Sequence, residues 1–153
     1  MRRWRHRQDA PLAAITGSNG KSTVTKLVAH MLREGGAAAV AGGNLGTAAS
    51  QMVLDGGWQS WVLEVSSFQA ELLQAMAPQA AVFLNLSQDH LERHPDMASY
   101  RAAKQRLFAF QSADDVAVLN ADDPAVASTV TAARKKTFSL QGPADGWIED
   151  GVL

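Results

Sequence analysis

The stretch LAAITGSNGKSTVTKLVAHML, residues 12–32, decides the fold. Leu12–Thr16 is an apolar run of strand length that breaks at Gly17-Ser18-Asn19-Gly20. Beyond the break, Val24, Leu27, Val28, Met31 and Leu32 recur at helical spacing. The order is strand, glycine-rich loop, helix, and Gly35-Gly36 stops the helix. Ala37–Ala41, Trp61–Val65, Ala80–Leu86 and Val116–Asn120 are further continuous apolar runs. Lacking in-out alternation, they read as strands covered on both faces, which belong to parallel sheets. Helical candidates lie at 46–54, 68–76, 97–110 and 123–132. The alternation predicts an α/β domain with a doubly wound, mostly parallel sheet and helices on both faces.

Composition agrees with that reading. The chain has 153 residues, 46% hydrophobic and 19% charged, enough for one ordinary core and too apolar for a disordered segment. No apolar run approaches the roughly 20 residues of a membrane span, and no signal-peptide pattern opens the chain, so a cytoplasmic location is expected. Without cysteine there are no disulfides, thiolate metal sites or cysteine nucleophiles. The net charge of −1 conceals an asymmetry: Arg2, Arg3, Arg5 and Arg7 precede the first core-like segment. A short basic arm without a basic body is a weak footprint for nucleic acid, and none is expected as a partner. The 27 alanines favour helices packed closely on a flat surface.

In such a sheet, ligands bind beyond the carboxyl ends of the strands, and the first βα turn is the usual phosphate seat. Gly17, Ser18, Asn19, Gly20, Lys21, Ser22 and Thr23 occupy that turn. Glycines allow backbone N–H groups to approach phosphate oxygens, the helix N-terminus adds a positive dipole end, and Lys21 adds a full charge. Ser22 follows the lysine, where it can ligate a magnesium ion on the same phosphates. The loop is P-loop-like but incomplete, since the general pattern asks for glycine where Ile15 stands. The competing reading is a tight turn with an exposed lysine.

Glu64 ends the run Trp61–Glu64, so its carboxylate lies at a strand end suited to a nucleotide's magnesium; capping the next helix is the alternative, although Ser66 and Gln69 already resemble a capping box. His90 follows another strand end beside Asp89, either as a ligand at the same edge or as a satisfied structural residue. No histidine pair has zinc spacing, and an oxygen-rich site suits magnesium or manganese. Lys104 lies four residues from Tyr100 and three from Leu107, on the apolar stripe of the 97–110 helix. Its stem could snorkel to water. Alternatively, burial favours the neutral amine, which reacts with carbon dioxide to give a carbamate.

Taken together, Ile15–Thr23, Gly42–Gly46, Leu63–Gln69, Asn85–Arg93, Tyr100–Lys104 and Leu119–Asp123 resemble the Mur ligases in order and spacing, over residues 12–140. The Ser66-Ser67-Phe68-Gln69 continuation is similar to the D-glutamate-adding branch. The resemblance implies a central ATPase domain that binds ATP and Mg2+ through Gly17–Thr23, with Ser22, Glu64, His90 and a carbamylated Lys104 around the metal. It implies that Lys21, His90 and Lys104 are catalytic and that Asn44 and Ser66 contact the muramoyl substrate. The implied reaction transfers a phosphoryl group to the carboxylate of UDP-N-acetylmuramoyl-L-alanine. The amine of D-glutamate then attacks the acyl phosphate, as in other steps of peptidoglycan and cell-wall synthesis.

Residues 1–11 are expected to be a basic tail outside the family pattern, and 141–153 the beginning of a following segment. The family's N-terminal and C-terminal domains do not fit in this length. The isolated chain is therefore expected to bind nucleotide weakly and to ligate little or nothing. A relative adding another amino acid such as L-glutamate, a stand-alone ATP-binding module and an inert remnant are the alternatives.

Overall fold

The computed structural model describes residues 10–88 and 94–147. Strand β1 (Leu12–Thr16) leads through the glycine loop into helix α1 (Lys21–Glu34). The order continues with β2 (Ala39–Gly43), α2 (Ala49–Asp55), β3 (Ser60–Glu64), α3 (Ser67–Glu71), β4 (Ala80–Phe83) and α4 (Met97–Gln105). A 3₁₀ turn (Arg106–Phe108), β5 (Val116–Asn120), α5 (Pro124–Ala127), β6 (Arg134–Ser139) and β7 (Gly146–Trp147) complete it. The strands form one sheet in the order β2-β3-β1-β4-β5-β6-β7, with every pairing parallel.

Handedness then places the helices. From β1 the chain crosses toward β2, and every later crossover runs the other way, so right-handed connections put α1 on one face and the later helices on the opposite face. The core follows this division. Ile15 of β1 and Val62 of β3 pack with Ala29, and Val24, Val28 and Leu32 of α1 close that side. Leu12, Ala14, Trp61 and Leu63 point the other way, into a cluster with Met52, Ala70, Leu107, Phe108 and Val126. Both sides of β1 and β3 are thus buried, which is why their sequences run apolar without alternation.

Element ends differ from the sequence expectations where backbone groups find other partners. Strand β2 begins at Ala39 because the Ala37 amide closes α1 on Leu32 O, at 3.0 Å. After Phe83, β4 gives way to a loop in which the Leu86 amide donates to Asp123 Oδ2 at 2.7 Å. Helix α3 ends at Glu71 rather than near 76, with the Arg106 guanidinium donating to Leu73 O. Helix α5 ends at Ala127 rather than near 132; the hydroxyls of Ser128 and Thr129 donate to Pro124 O and Val126 O and compete with further helix. Helix α4 begins at Met97 under Asp96, whose carboxylate accepts from the Ser99 amide at 2.7 Å and is held below the usual carboxylate range by that bond. Strand β6 has no counterpart in the sequence reading. Its Arg134, Lys135 and Lys136 are exposed beside the two-residue β7, a composition typical of a strand near a sheet edge.

Candidate functional site

The connections after β1 and β4 leave toward opposite faces, and this divergence between neighbouring strands opens a crevice at their carboxyl ends. The loop after β1 is built into that crevice by its neighbours. Asn85, just beyond β4, accepts at Oδ1 from the amides of Ser18 (3.1 Å) and Asn19 (2.9 Å) and donates through Nδ2 to Asn19 O (3.1 Å). The Ser18 hydroxyl donates to Ser87 O (3.0 Å), accepts from the Ser87 amide (2.9 Å) and lies 3.3 Å from the Tyr100 hydroxyl. Lys21 Nζ donates to Ser18 O at 2.9 Å, curling the ammonium over the loop.

Gly20 is the residue on which the loop turns into the helix. It holds φ at +80°, in the left-handed region where a side chain is strained, and serves as N-cap of α1 without a side-chain hydrogen bond. The first turn of α1 carries no acidic residue. Its N-terminal amides and positive dipole end are therefore presented to the loop without an acidic partner from that turn. Ser22 and Thr23 lie exposed on the same turn.

Glu64 approaches from the other side. Its position opposite Ile15 in the parallel register places it beside the loop, and it is only 3% exposed. The Ser22 hydroxyl donates to Oε2 at 2.6 Å, and Asn44 Nδ2 donates to Oε1 at 2.8 Å. The Asn44 amide also donates to Glu64 O, at 3.0 Å. This approach requires glycine at 43: a Cβ there would sit 2.4 Å from Glu64 O, and φ is +101°. Among the described residues no cationic side chain pairs with Glu64. Burying an ionised carboxylate among neutral donors is costly unless a cation lies nearby. Ser22 and Glu64 are hard oxygen donors of the kind magnesium takes, so the residues present fit that ion. Among the described residues no three His, Cys, Asp or Glu side chains gather as a metal cluster.

Lys104 lies on the buried stripe of α4 and is 1% exposed. Its Nζ donates to Gly17 O at 2.8 Å and stands 4.6 Å from the centre of the Tyr100 ring. The snorkelling alternative fails because the amine turns inward to the loop. Ser66 is the N-cap of α3 in a complete capping box with Gln69, and Glu64 takes no part in that cap. Asp89 and His90 lie outside the described residues.

The structure therefore brings together the Gly17–Thr23 loop, Asn44, Glu64 and Lys104. It adds Asn85, Ser87 and Tyr100, to which the sequence reading gave no role. An asparagine directly after an apolar run was the available signal for Asn85, since its short amide readily satisfies turn backbone. Nothing local marks Tyr100, whose hydroxyl matters only because α4 packs beside the loop.

The profile of the Mur ligase middle domain matches residues 15–152. The UDP-N-acetylmuramoylalanine–D-glutamate ligase of Desulfotalea psychrophila is 50% identical over 117 residues, covering 76% of this chain and 26% of that protein. The protein of the same name from Chromohalobacter salexigens is 46% identical over 138 residues, covering 90% and 30%. Among solved structures, a UDP-N-acetylmuramoyl-L-alanyl-D-glutamate–2,6-diaminopimelate ligase superposes with a TM-score of 0.74 at 28% identity, over 92% of this chain and 34% of that one. The MurF ligase of Thermotoga maritima in complex with ADP shares the fold, with a TM-score of 0.75 at 23% identity, over 95% and 36%. The chain thus spans less than a third of the length of these sequence relatives. On this match, and on the order of its strands and loops, the chain belongs to the Mur ligase middle-domain family.

Proposed function

We propose that this chain supplies the phosphate and magnesium floor of an ATP-dependent ligase that joins D-glutamate to UDP-N-acetylmuramoyl-L-alanine in the cytoplasm. The observation that carries the reading is the meeting of the Gly17–Lys21 loop, an α1 N-terminus without a side-chain cap, and buried Glu64 at one sheet edge. The names of the relatives support the amino acid added.

On this reading the residues divide the work. Backbone amides of Gly17–Lys21 and the first turn of α1 bind phosphate oxygens, and Lys21 exchanges its Ser18 carbonyl for the charge that develops during transfer. Ser22 and Glu64 would hold magnesium, with His90 and Lys104 completing the set; the ion supplies charge neutralisation on the phosphoryl oxygens. Asn44, tied to Glu64, and Ser66, at the start of α3, face the muramoyl substrate. A neutral Lys104 amine that adds carbon dioxide and loses one proton becomes a carboxylate on a long arm. In the reaction the terminal phosphoryl group moves to the substrate carboxylate with ADP leaving; the amine of D-glutamate then attacks the acyl carbon, phosphate leaves, and one proton is released. No protein nucleophile is needed. These residues span less than a third of the length of the relatives, and on this reading they supply the phosphate and metal contacts but no adenine contacts, so weak nucleotide binding is expected of them.

Calorimetric titration with magnesium tripolyphosphate, MgATP and adenosine tests this directly. Binding of the first two without adenosine is expected. Binding of adenosine alone, or of none of the three, overturns the reading.

A further inference from the structure

His94 is buried, 2% exposed, and touches both walls of the site without reaching the loop itself. Its Nε2 lies 3.0 Å from the Ser67 hydroxyl and its Nδ1 3.3 Å from Glu71 Oε1, both on α3. Its ring stacks on Phe68, with centroids 5.8 Å apart, and leans on Tyr100 of α4 at 5.0 Å. Serine, histidine and glutamate in this order resemble a nucleophilic relay. Ser67, however, is 2% exposed and the imidazole is enclosed by two aromatic rings, so no substrate carbonyl reaches the hydroxyl. What the arrangement does is fix the imidazole: the polar contacts to α3 set where the ring stands, and the ring sets where Tyr100 stands.

Tyr100 is the next link. Its hydroxyl lies 3.3 Å from Ser18 Oγ, and its ring lies under Lys104 Nζ, which donates to Gly17 O. Two successive loop residues are thus held through one aromatic side chain, and Ser18 carries the constraint on to Ser87. Near-attack placement in phosphoryl transfer depends on such support, because a small misplacement of phosphate ligands is costly.

We propose that His94 is a positioning residue that couples α3, the substrate-side wall, to the Gly17–Lys21 phosphate loop through Tyr100. The inference rests on the nucleotide reading given above for its effect on binding, while its effect on loop order stands without it.

The test is a double-mutant cycle of His94→Phe and Tyr100→Phe in this chain, with His94→Gln as the conservative variant. His94→Phe keeps a ring of similar size but loses both polar contacts; His94→Gln retains a group able to bond Ser67. Two quantities are read: MgADP affinity by calorimetry, and amide hydrogen exchange at Ser18, Asn19 and Ser87. His94→Phe is expected to weaken MgADP about 3- to 10-fold and to speed exchange at those amides. His94→Gln is expected to restore at least half of both effects. Tyr100→Phe removes the hydroxyl link to Ser18 and keeps the ring under Lys104, so in that background the further effect of His94→Phe on exchange at Ser18 and Ser87 is expected to fall below about twofold. An undiminished effect in that background, or unaltered exchange at Ser18 and Ser87, overturns the proposal. Should the unsubstituted chain bind no nucleotide, the function proposed above fails and exchange alone decides the role of His94. If His94→Phe does not fold, His94→Leu, of about the volume of histidine and likewise without both polar contacts, takes its place in the same cycle.

Discussion

The sheet has two polar edges built from the same residue types for different ends. At the carboxyl ends of β3, β1 and β4, Glu64 is almost fully buried and receives Ser22 and Asn44 from two other connections. At the far side, Asp145 lies exposed between Lys136 and the Thr137 amide, bonds that tie one turn to the neighbouring strand. Asp122 is likewise spent, on the Ser139 hydroxyl and the Leu140 amide. One edge concentrates charge and donors where backbone converges; the other distributes them over local turns. A carboxylate that is desolvated among neutral donors is prepared for an external cation, whereas one paired with a surface lysine is already satisfied.

Paired substitutions sharpen this contrast. The largest effect is expected from Gly43→Ala, which forces Cβ against Glu64 O in a left-handed conformation; about 3 kcal/mol of stability should be lost in chemical denaturation. Gly146→Ala, where a Cβ meets nothing within 4 Å, should change stability by less than about 0.5 kcal/mol. Next, Lys21→Ala should weaken MgATP more than about tenfold by calorimetry, the worth of a hydrogen bond to charge, while Lys136→Ala should change it less than about twofold. Equal losses would erase the distinction between the edges.

Glu64→Gln probes the buried carboxylate. The amide keeps the place of the carboxylate, and the Ser22 hydroxyl can turn to accept, so thermal stability should stay within about 1 kcal/mol. The dependence of ATP affinity on magnesium should nevertheless disappear, and its persistence would remove Glu64 from the metal site.

The smallest effect belongs to Asp145→Asn. The Lys136 ammonium beside Asp145 holds its carboxyl below the ordinary 3.8. Its pKa is lower folded than unfolded, so its contribution is present above the ordinary value and fades as pH falls through the lowered one. Stability curves for the variant and the unsubstituted chain should therefore differ above pH 4 and converge in stronger acid, the difference shrinking in high salt.

The same contrast explains what the sequence made legible. Strands β1, β3, β4 and β5 lie inside the sheet, and their runs could be recognised without knowing the fold. Strand β6 could not, because Arg134-Lys135-Lys136 is exposed and its strand character comes from pairing with β5. The loop and Glu64 were readable because each stands directly at the end of an apolar run. Lys104 was readable from its position on a helical stripe. Asn85 and Tyr100 were not assigned, since their value lies in long-range contacts: Asn85 bonds Asn19, 66 positions earlier, and Tyr100 meets Ser18 across 82. Helix ends after α3 and α5 were overrun for a related reason, as hydroxyl and guanidinium donors took the carbonyls.

The most direct measurement is a map of backbone amide chemical-shift changes as MgADP is titrated into the chain. The account predicts changes concentrated at residues 17–24, 43–44, 64–66 and 84–87, with β6 and β7 unmoved. Changes centred on the β6–β7 edge, or none at saturating nucleotide, would contradict it.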